Sequence, residues 1–199
     1  MERGKTLEVR IREAKPEDYT KIKEISRRAF VHELITEIEY GSMEFQLGEY
    51  FENIKKYSTW DVGEACRKKV FLSQKIFVAE DRNGEVIGYT GIERQNTDGR
   101  ADGAFWLNWT AVEPRYQGCC VGKKVILEAI RQVKALGGLT LNVKTSPFLD
   151  SAHKTYERLG FKITGRIPNY YEKGCDVIIY SLDLTSIDQE YYKKLLGKK

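Results

Sequence analysis

Between residues 104 and 133 the apolar spacing changes once, and that change limits the folds open to this 199-residue chain. Residues 104–112 read as a strand. After them Val121, Val125, Ile126, Ala129, Ile130 and Val133 recur at the three-to-four-residue spacing of an amphipathic helix. Glu113-Pro114-Arg115-Tyr116-Gln117-Gly118-Cys119-Cys120 joins the two: a proline turns the chain and small residues open the helix, expected over 118–136. Gly137-Gly138 stops it. A strand that turns directly into a long helix belongs to α/β architectures, and it sets a helix start at the end of a strand.

A helix start has chemistry of its own. Its first backbone N–H groups have no intrahelical partner, and the helix dipole places positive potential there. Glycines let a ligand approach that backbone closely, so the segment suits a phosphate, with Lys123 and Lys124 adding charge. Two named phosphate loops fail. A Walker A loop needs four residues between its glycines and a hydroxyl after the lysine; here Gly118 and Gly122 are one residue too close and Lys124 holds the hydroxyl position. A dinucleotide loop needs Gly-x-Gly-x-x-Gly after the first strand of a βαβ unit, which is absent.

Elsewhere Val9 and Ile11 alternate with Arg10 and Arg12 as a short strand. Pro16-Glu17-Asp18 opens a helix that Asp18 can cap and that Ile22, Ile25 and Phe30 make apolar on one side. Helical pieces are expected at 32–40, 46–57 and 63–72. Asn83-Gly84 between the apolar runs 76–79 and 86–89 predicts a hairpin. A strand at 139–143, a helix at 151–159, strands at 161–164 and 177–182 and a last helix near 186–189 complete the order. Hairpin-paired strands followed by strands alternating with helices predict an α/β (α+β) fold. It has a mixed sheet of six to seven strands flanked by helices, with an extended helical region between strands 1 and 2. Residues 1–184 read as one domain, with 39–70 a helical insertion and 185–199 a C-terminal helix and basic tail whose end, from Lys193, is expected to fray.

Thirty-three basic and 29 acidic residues leave a net charge of +4, too mild to imply nucleic acid. Cys66, Cys119, Cys120 and Cys175 form no Cys-x-x-Cys pair, and His32 and His153 fall at no zinc spacing, so no metal site is expected. The cysteines read as free thiols of a reducing compartment. The first residues contain no apolar signal region and no run reaches the ~18 residues of a membrane helix, so a cytoplasmic protein without a membrane partner is expected.

Val112-x-Pro114-x-Tyr116-Gln117-Gly118-x-x-Val121-Gly122 resembles motif A of the GNAT (GCN5-related N-acetyltransferase) superfamily. The resemblance implies that Gln117, Gly118, Cys119, Cys120, Val121, Gly122 and Lys123 cradle the diphosphate of acetyl-CoA. The backbone of Thr110, Ala111 and Val112 would then pair with the pantetheine arm and the acetyl carbonyl. Cys120 stands where the family has its middle glycine, and a side chain there is expected to fit only with negative φ. Downstream, Ala152-His153-Lys154-Thr155-Tyr156-Glu157-Arg158-Leu159-Gly160-Phe161 is similar to the family's second signature, which makes Tyr156 the proton donor to the departing thiolate. Leu149 replaces an asparagine of that signature. Asn142 occupies the place of a glutamate in bacterial ribosomal-protein alanine acetyltransferases and is no base at neutral pH. His153, Glu113, a carboxylate from 32–64 or a water chain remain open for that role.

Tyr170-Tyr171, followed by Gly174-Cys175-Asp176, resembles the C-terminal hairpin of N-terminal protein acetyltransferases and implies a clamp on a peptide backbone. Residues 32–64 carry eight acidic side chains against two basic ones, either a wall that attracts a cationic amine or an ordinary solvated face. The insertion is compatible with a lid or a homodimer contact. Three functions follow: acetylation of a protein or peptide amine; acetylation of a small amine such as a polyamine, amino acid or aminoglycoside; and non-catalytic sensing of acetyl-CoA.

Overall fold

The computed structural model describes residues 7–30, 74–95 and 103–196. The strands are β1 (Arg10–Glu13), β2 (Gln74–Glu80), β3 (Val86–Arg94), β4 (Ala104–Val112), β5 (Thr140–Thr145), β6 (Lys162–Glu172) and β7 (Cys175–Asp183). The helices are α1 (Tyr19–Phe30), α2 (Val121–Ala135), α3 (Asp150–Arg158) and α4 (Gln189–Leu196). One seven-stranded sheet has the order β1-β2-β3-β4-β5-β7-β6. The β4–β5 ladder is parallel, whereas β1–β2, β2–β3, β5–β7 and β6–β7 are antiparallel. The mixed sheet expected from the sequence is therefore present. The helices expected at 32–40, 46–57 and 63–72, and Cys66, lie outside the described residues.

The chain divides into two compact units, residues 1–93 with 108–129 and residues 94–107 with 130–199. In the first, Ile22 and Ile25 of α1 pack on Ile76, Val78, Val86, Tyr89 and Ala111. Ala79, Ile87, Cys119, Val121 and Val125 form a second cluster. Each buried Val or Ile side chain among them is worth about 1.5–3 kcal/mol relative to exposure. The hairpin turn is as predicted: Gly84 has φ 78°, and Asp81 Oδ1 accepts the amides of Asn83 and Glu85. Asp18 does cap, but backwards from a short 3-10 turn (Pro16–Asp18): its carboxylate accepts the Lys15 amide at 2.7 Å and both terminal nitrogens of Arg12 at 2.6 and 2.9 Å. Burial alone would raise the Asp18 carboxyl; the Arg12 guanidinium and the Lys15 amide together outweigh it and hold the group below the usual carboxylate range.

In the second unit Phe105, Leu107, Ile130, Val133, Leu141, Val143, Leu159, Val177 and Leu182 are buried. Here β6 runs 11 residues, well past the 161–164 expected for it. Gly165, Pro168 and Asn169 signal a turn locally, yet β6 is the last strand of the sheet, and an edge tolerates a proline that cannot donate to the ladder. Asp176 secures the irregular part by accepting the Asn169 amide and the Arg166 guanidinium. Lys193 and Lys194, expected to fray, belong to α4, whose Tyr191 hydroxyl donates to the Leu159 carbonyl. Among the described residues no helix is long and apolar enough to cross a membrane. Cys119, Cys120 and Cys175 are free thiols.

Candidate active site

In the first unit, β4 leads into a 3-10 turn (Pro114–Tyr116) that Glu113 fastens at both ends. Its amide donates to the Ile87 carbonyl, and its buried carboxylate accepts Nε and Nη2 of Arg28 at 2.9–3.1 Å. Glu113, one of the open base candidates, is thus committed to an ion pair. The Gln117 amide bonds Pro114, and the Cys119 amide bonds Tyr116. Gly118 follows with φ 78° and no atom within 4 Å of where a Cβ would stand. The first helical bond runs from the Lys124 amide to the Cys120 carbonyl, so α2 starts at Val121, three residues later than expected. Two left-handed residues, Gly118 and Cys120, hold off the helix until there.

Cys120 corrects the expectation of negative φ. Its φ is 63°, the left-handed region that favours glycine, at a cost of about 1–2 kcal/mol for an L-residue. The turn requires that conformation whatever residue fills it, and the exposed cysteine side chain has room. Lys124 departs too: its ammonium donates to the Leu7 carbonyl at 2.6 Å, away from an anion-binding role. The remaining features fit a diphosphate. They are the opening amides of a 15-residue helix, the uncovered Gly118 and a first turn with no acidic side chain. Val121 locks the helix start against β3, where Gly88 leaves the space: a Cβ there would stand 3.0 Å from Val121 Cγ1.

The ladder between β4 and β5 ends at the pair Leu107–Val143. Thr110, Ala111 and Val112 lie beyond it. Just past its end Trp109 has φ 45°, an outlier for a bulky residue, while its ring packs on the Ala111 cluster. The Thr110 and Thr90 hydroxyls pair at 2.7 Å, and Asn108 Nδ2 donates to Glu93 Oε2 at 2.8 Å.

In the second unit, Tyr156 is seated by the end of its own helix. Gly160, at φ 83°, ends α3; the Phe161 amide returns to the Tyr156 carbonyl and the Gly160 amide to Glu157, the paired bonds of a Schellman motif. This turn is why Leu-Gly-Phe follows Tyr156 at that spacing. The Tyr156 ring, 7% exposed, lies 5.7 Å from both Phe161 and Tyr180. His153, a second base candidate, uses both ring nitrogens. Nε2 lies 3.0 Å from the Ser146 carbonyl, which can only accept, so Nε2 carries a proton; Nδ1 pairs with the Tyr180 hydroxyl at 2.8 Å, and that hydroxyl also donates to Glu157 Oε1 at 3.3 Å. Burial, with the Glu157 carboxylate second, raises the Tyr180 phenol and keeps it protonated. Asn142 accepts the Ser181 hydroxyl at 2.6 Å and donates to the Phe105 carbonyl, the bonds of an amide that braces strands.

Tyr170 is exposed, and its hydroxyl accepts from Lys144, whose ammonium also lies over the Trp106 and Tyr170 rings at 5.0 and 5.4 Å. The Tyr171 side chain lies outside the described residues. Sequence reasoning missed the Glu93–Asn108 pair, the Arg28–Glu113 pair and the Lys144 contacts. For Glu93 the signal was the strand pattern, cut at residue 89 although β3 runs on to Arg94.

The model of the GNAT acetyltransferase domain matches residues 73–163, a span that contains the loop, α2 and Tyr156. Residues 73–163 are a GNAT acetyltransferase domain. Among solved structures, an N-acetyltransferase from Staphylococcus aureus superposes with TM-score 0.69 at 21% identity over 89% of this chain and 99% of its own. The ribosomal-protein-S18-alanine N-acetyltransferase of Escherichia coli does so with TM-score 0.64 at 19% identity over 92% and 97%. The yncA protein of Salmonella typhimurium, solved with its cofactor acetyl-CoA, gives TM-score 0.66 at 19% identity over 90% and 95%. These identities establish a shared GNAT fold. No curated protein matches the sequence. Over residues 73–163 the chain is therefore similar to acetyltransferases of the GNAT type.

Proposed function

We propose that this GNAT protein transfers acetyl from acetyl-CoA to a primary amine of a protein or peptide, an N-terminus or a lysine, by direct attack in a ternary complex. The reading is carried by the loop from Gln117 to Lys123: two left-handed residues followed at once by helix amides, the arrangement a diphosphate needs. In it, Gln117, Gly118, Cys119, Cys120, Val121, Gly122 and Lys123 hold the diphosphate, and the backbone of Thr110 to Val112 holds the arm that carries the acetyl group. Acetyl-CoA supplies an activated thioester. Tyr156 donates its phenolic proton toward the departing sulfur, the role a buried tyrosine with a fixed ring can fill. Tyr170, exposed and held by Lys144, offers an aromatic surface and a hydroxyl to a peptide backbone, and Tyr171, next in the sequence, is assigned to the same clamp.

Short peptides with a free α-amine, α-blocked peptides with one lysine, and spermidine, each offered with acetyl-CoA, test the acceptor. Turnover of either peptide class above spermidine is expected. Turnover of spermidine alone would replace the peptide reading with a small-amine one, and tight acetyl-CoA binding with no turnover would make the protein a sensor.

A further inference from the structure

The sequence leaves the proton acceptor open; of its candidates the structure shows Glu113 and His153 already engaged, while residues 32–64 lie outside the described residues. Glu113 is clasped by Arg28, His153 has both nitrogens engaged, and Asn142 is an amide already bonded to Ser181 and Phe105. Glu93 differs from all three. It stands near the end of β3, partly exposed, and no cation lies within ion-pair distance of it among the described residues. Among the described residues its carboxylate has one hydrogen bond, from Asn108 Nδ2 to Oε2 at 2.8 Å, which fixes the carboxylate and leaves Oε1 open to accept. Asn108 precedes Trp109, whose left-handed backbone breaks the run of β4 one residue before Thr110. Backbone strain of this kind gathers where geometry is set for chemistry.

We infer that Glu93 is the general base of the transfer, oriented by Asn108. Glu93 Oε1 takes a proton from the acceptor ammonium, directly or through one water, and the freed nitrogen lone pair forms the C–N bond to the acetyl carbonyl carbon. The C–S bond breaks with its electron pair on sulfur. The second amine proton balances the one that sulfur takes up, and Glu93 returns its proton to solvent. The inference needs an amine acceptor but not a peptide, so it stands apart from the acceptor reading above.

Glu93→Gln keeps an oxygen for Asn108 and removes the base. With a free-α-amine peptide and with spermidine, kcat is expected to fall about 100-fold at pH 7, within the range of general-base contributions. The mutant rate should climb nearly tenfold per pH unit toward the α-amine's own pKa of ~8, closing the gap to the parent. Acetyl-CoA affinity and Tm should be unchanged, and Glu93→Asp should retain part of the rate. A Glu93→Gln rate within about threefold of the parent from pH 6 to 9, with either acceptor, would overturn the assignment. Turnover of spermidine alone would defeat the peptide reading while still testing Glu93, and turnover of neither would overturn both.

Discussion

Replacing Cys120 with glycine should stabilise the protein, and the size of the gain follows from one backbone angle. At φ 63° an L-residue gives up about 1–2 kcal/mol relative to right-handed backbone, a cost glycine does not bear. Glycine loses more conformational freedom on folding, which returns about 0.5–1 kcal/mol. The Cys120 side chain is exposed, so little packing is lost with it. The net gain is about 0.5–1 kcal/mol, a rise in Tm on the order of 1–4 °C for a chain of this length. Cys120→Val, branched at Cβ, should fall by at least as much. Differential scanning calorimetry of the three proteins, with and without acetyl-CoA, reads the effect. A glycine variant less stable than the parent, or a valine variant equal to it, would show that the turn does not hold this residue left-handed.

Tyr156→Phe keeps the ring against Phe161 and Tyr180 and removes only the hydroxyl. It should lower kcat about 10- to 100-fold with acetyl-CoA affinity nearly unchanged, by steady-state kinetics and calorimetry, and equal rates would remove Tyr156 from the mechanism. Asp18 is held below its ordinary pKa, so its stabilisation is full above the unfolded value of ~3.9 and is lost as pH falls through the lower folded value. Urea unfolding at pH 6 and pH 3 should therefore show Asp18→Asn weaker than the parent at pH 6 and less sensitive to acid. Parallel pH slopes would show that the Arg12–Asp18 pair is not linked to folding.

What could be read in advance was local. The 104–112 strand, the Asn83-Gly84 turn and the helix through Val125 and Ile130 each follow from neighbours a few residues apart, and each is where the spacing puts it. The strand expected at 161–164 falls short of β6 because Gly165, Pro168 and Asn169 occur alike at a loop and at a sheet edge; only the neighbouring strand decides between them. Cys120 misled for a related reason. The rule that cysteine avoids positive φ is sound, but the entry to α2 overrides it. The partners of two base candidates lie at longer range: Glu113 meets Arg28 across 85 residues and His153 meets Tyr180 across 27, and no spacing announces such a partner. The seat of Tyr156 is local, since the turn that holds it lies beside it in Gly160 and Phe161.

The central claim is that amides at the start of α2 hold the diphosphate of acetyl-CoA. Titration calorimetry with acetyl-CoA and with S-acetylpantetheine, which has the same arm and thioester but no diphosphate, puts it to the test. Acetyl-CoA should bind and the truncated thioester should bind at least 100-fold more weakly, a difference of about 2.7 kcal/mol. Equal affinities, or no heat with acetyl-CoA, would contradict it.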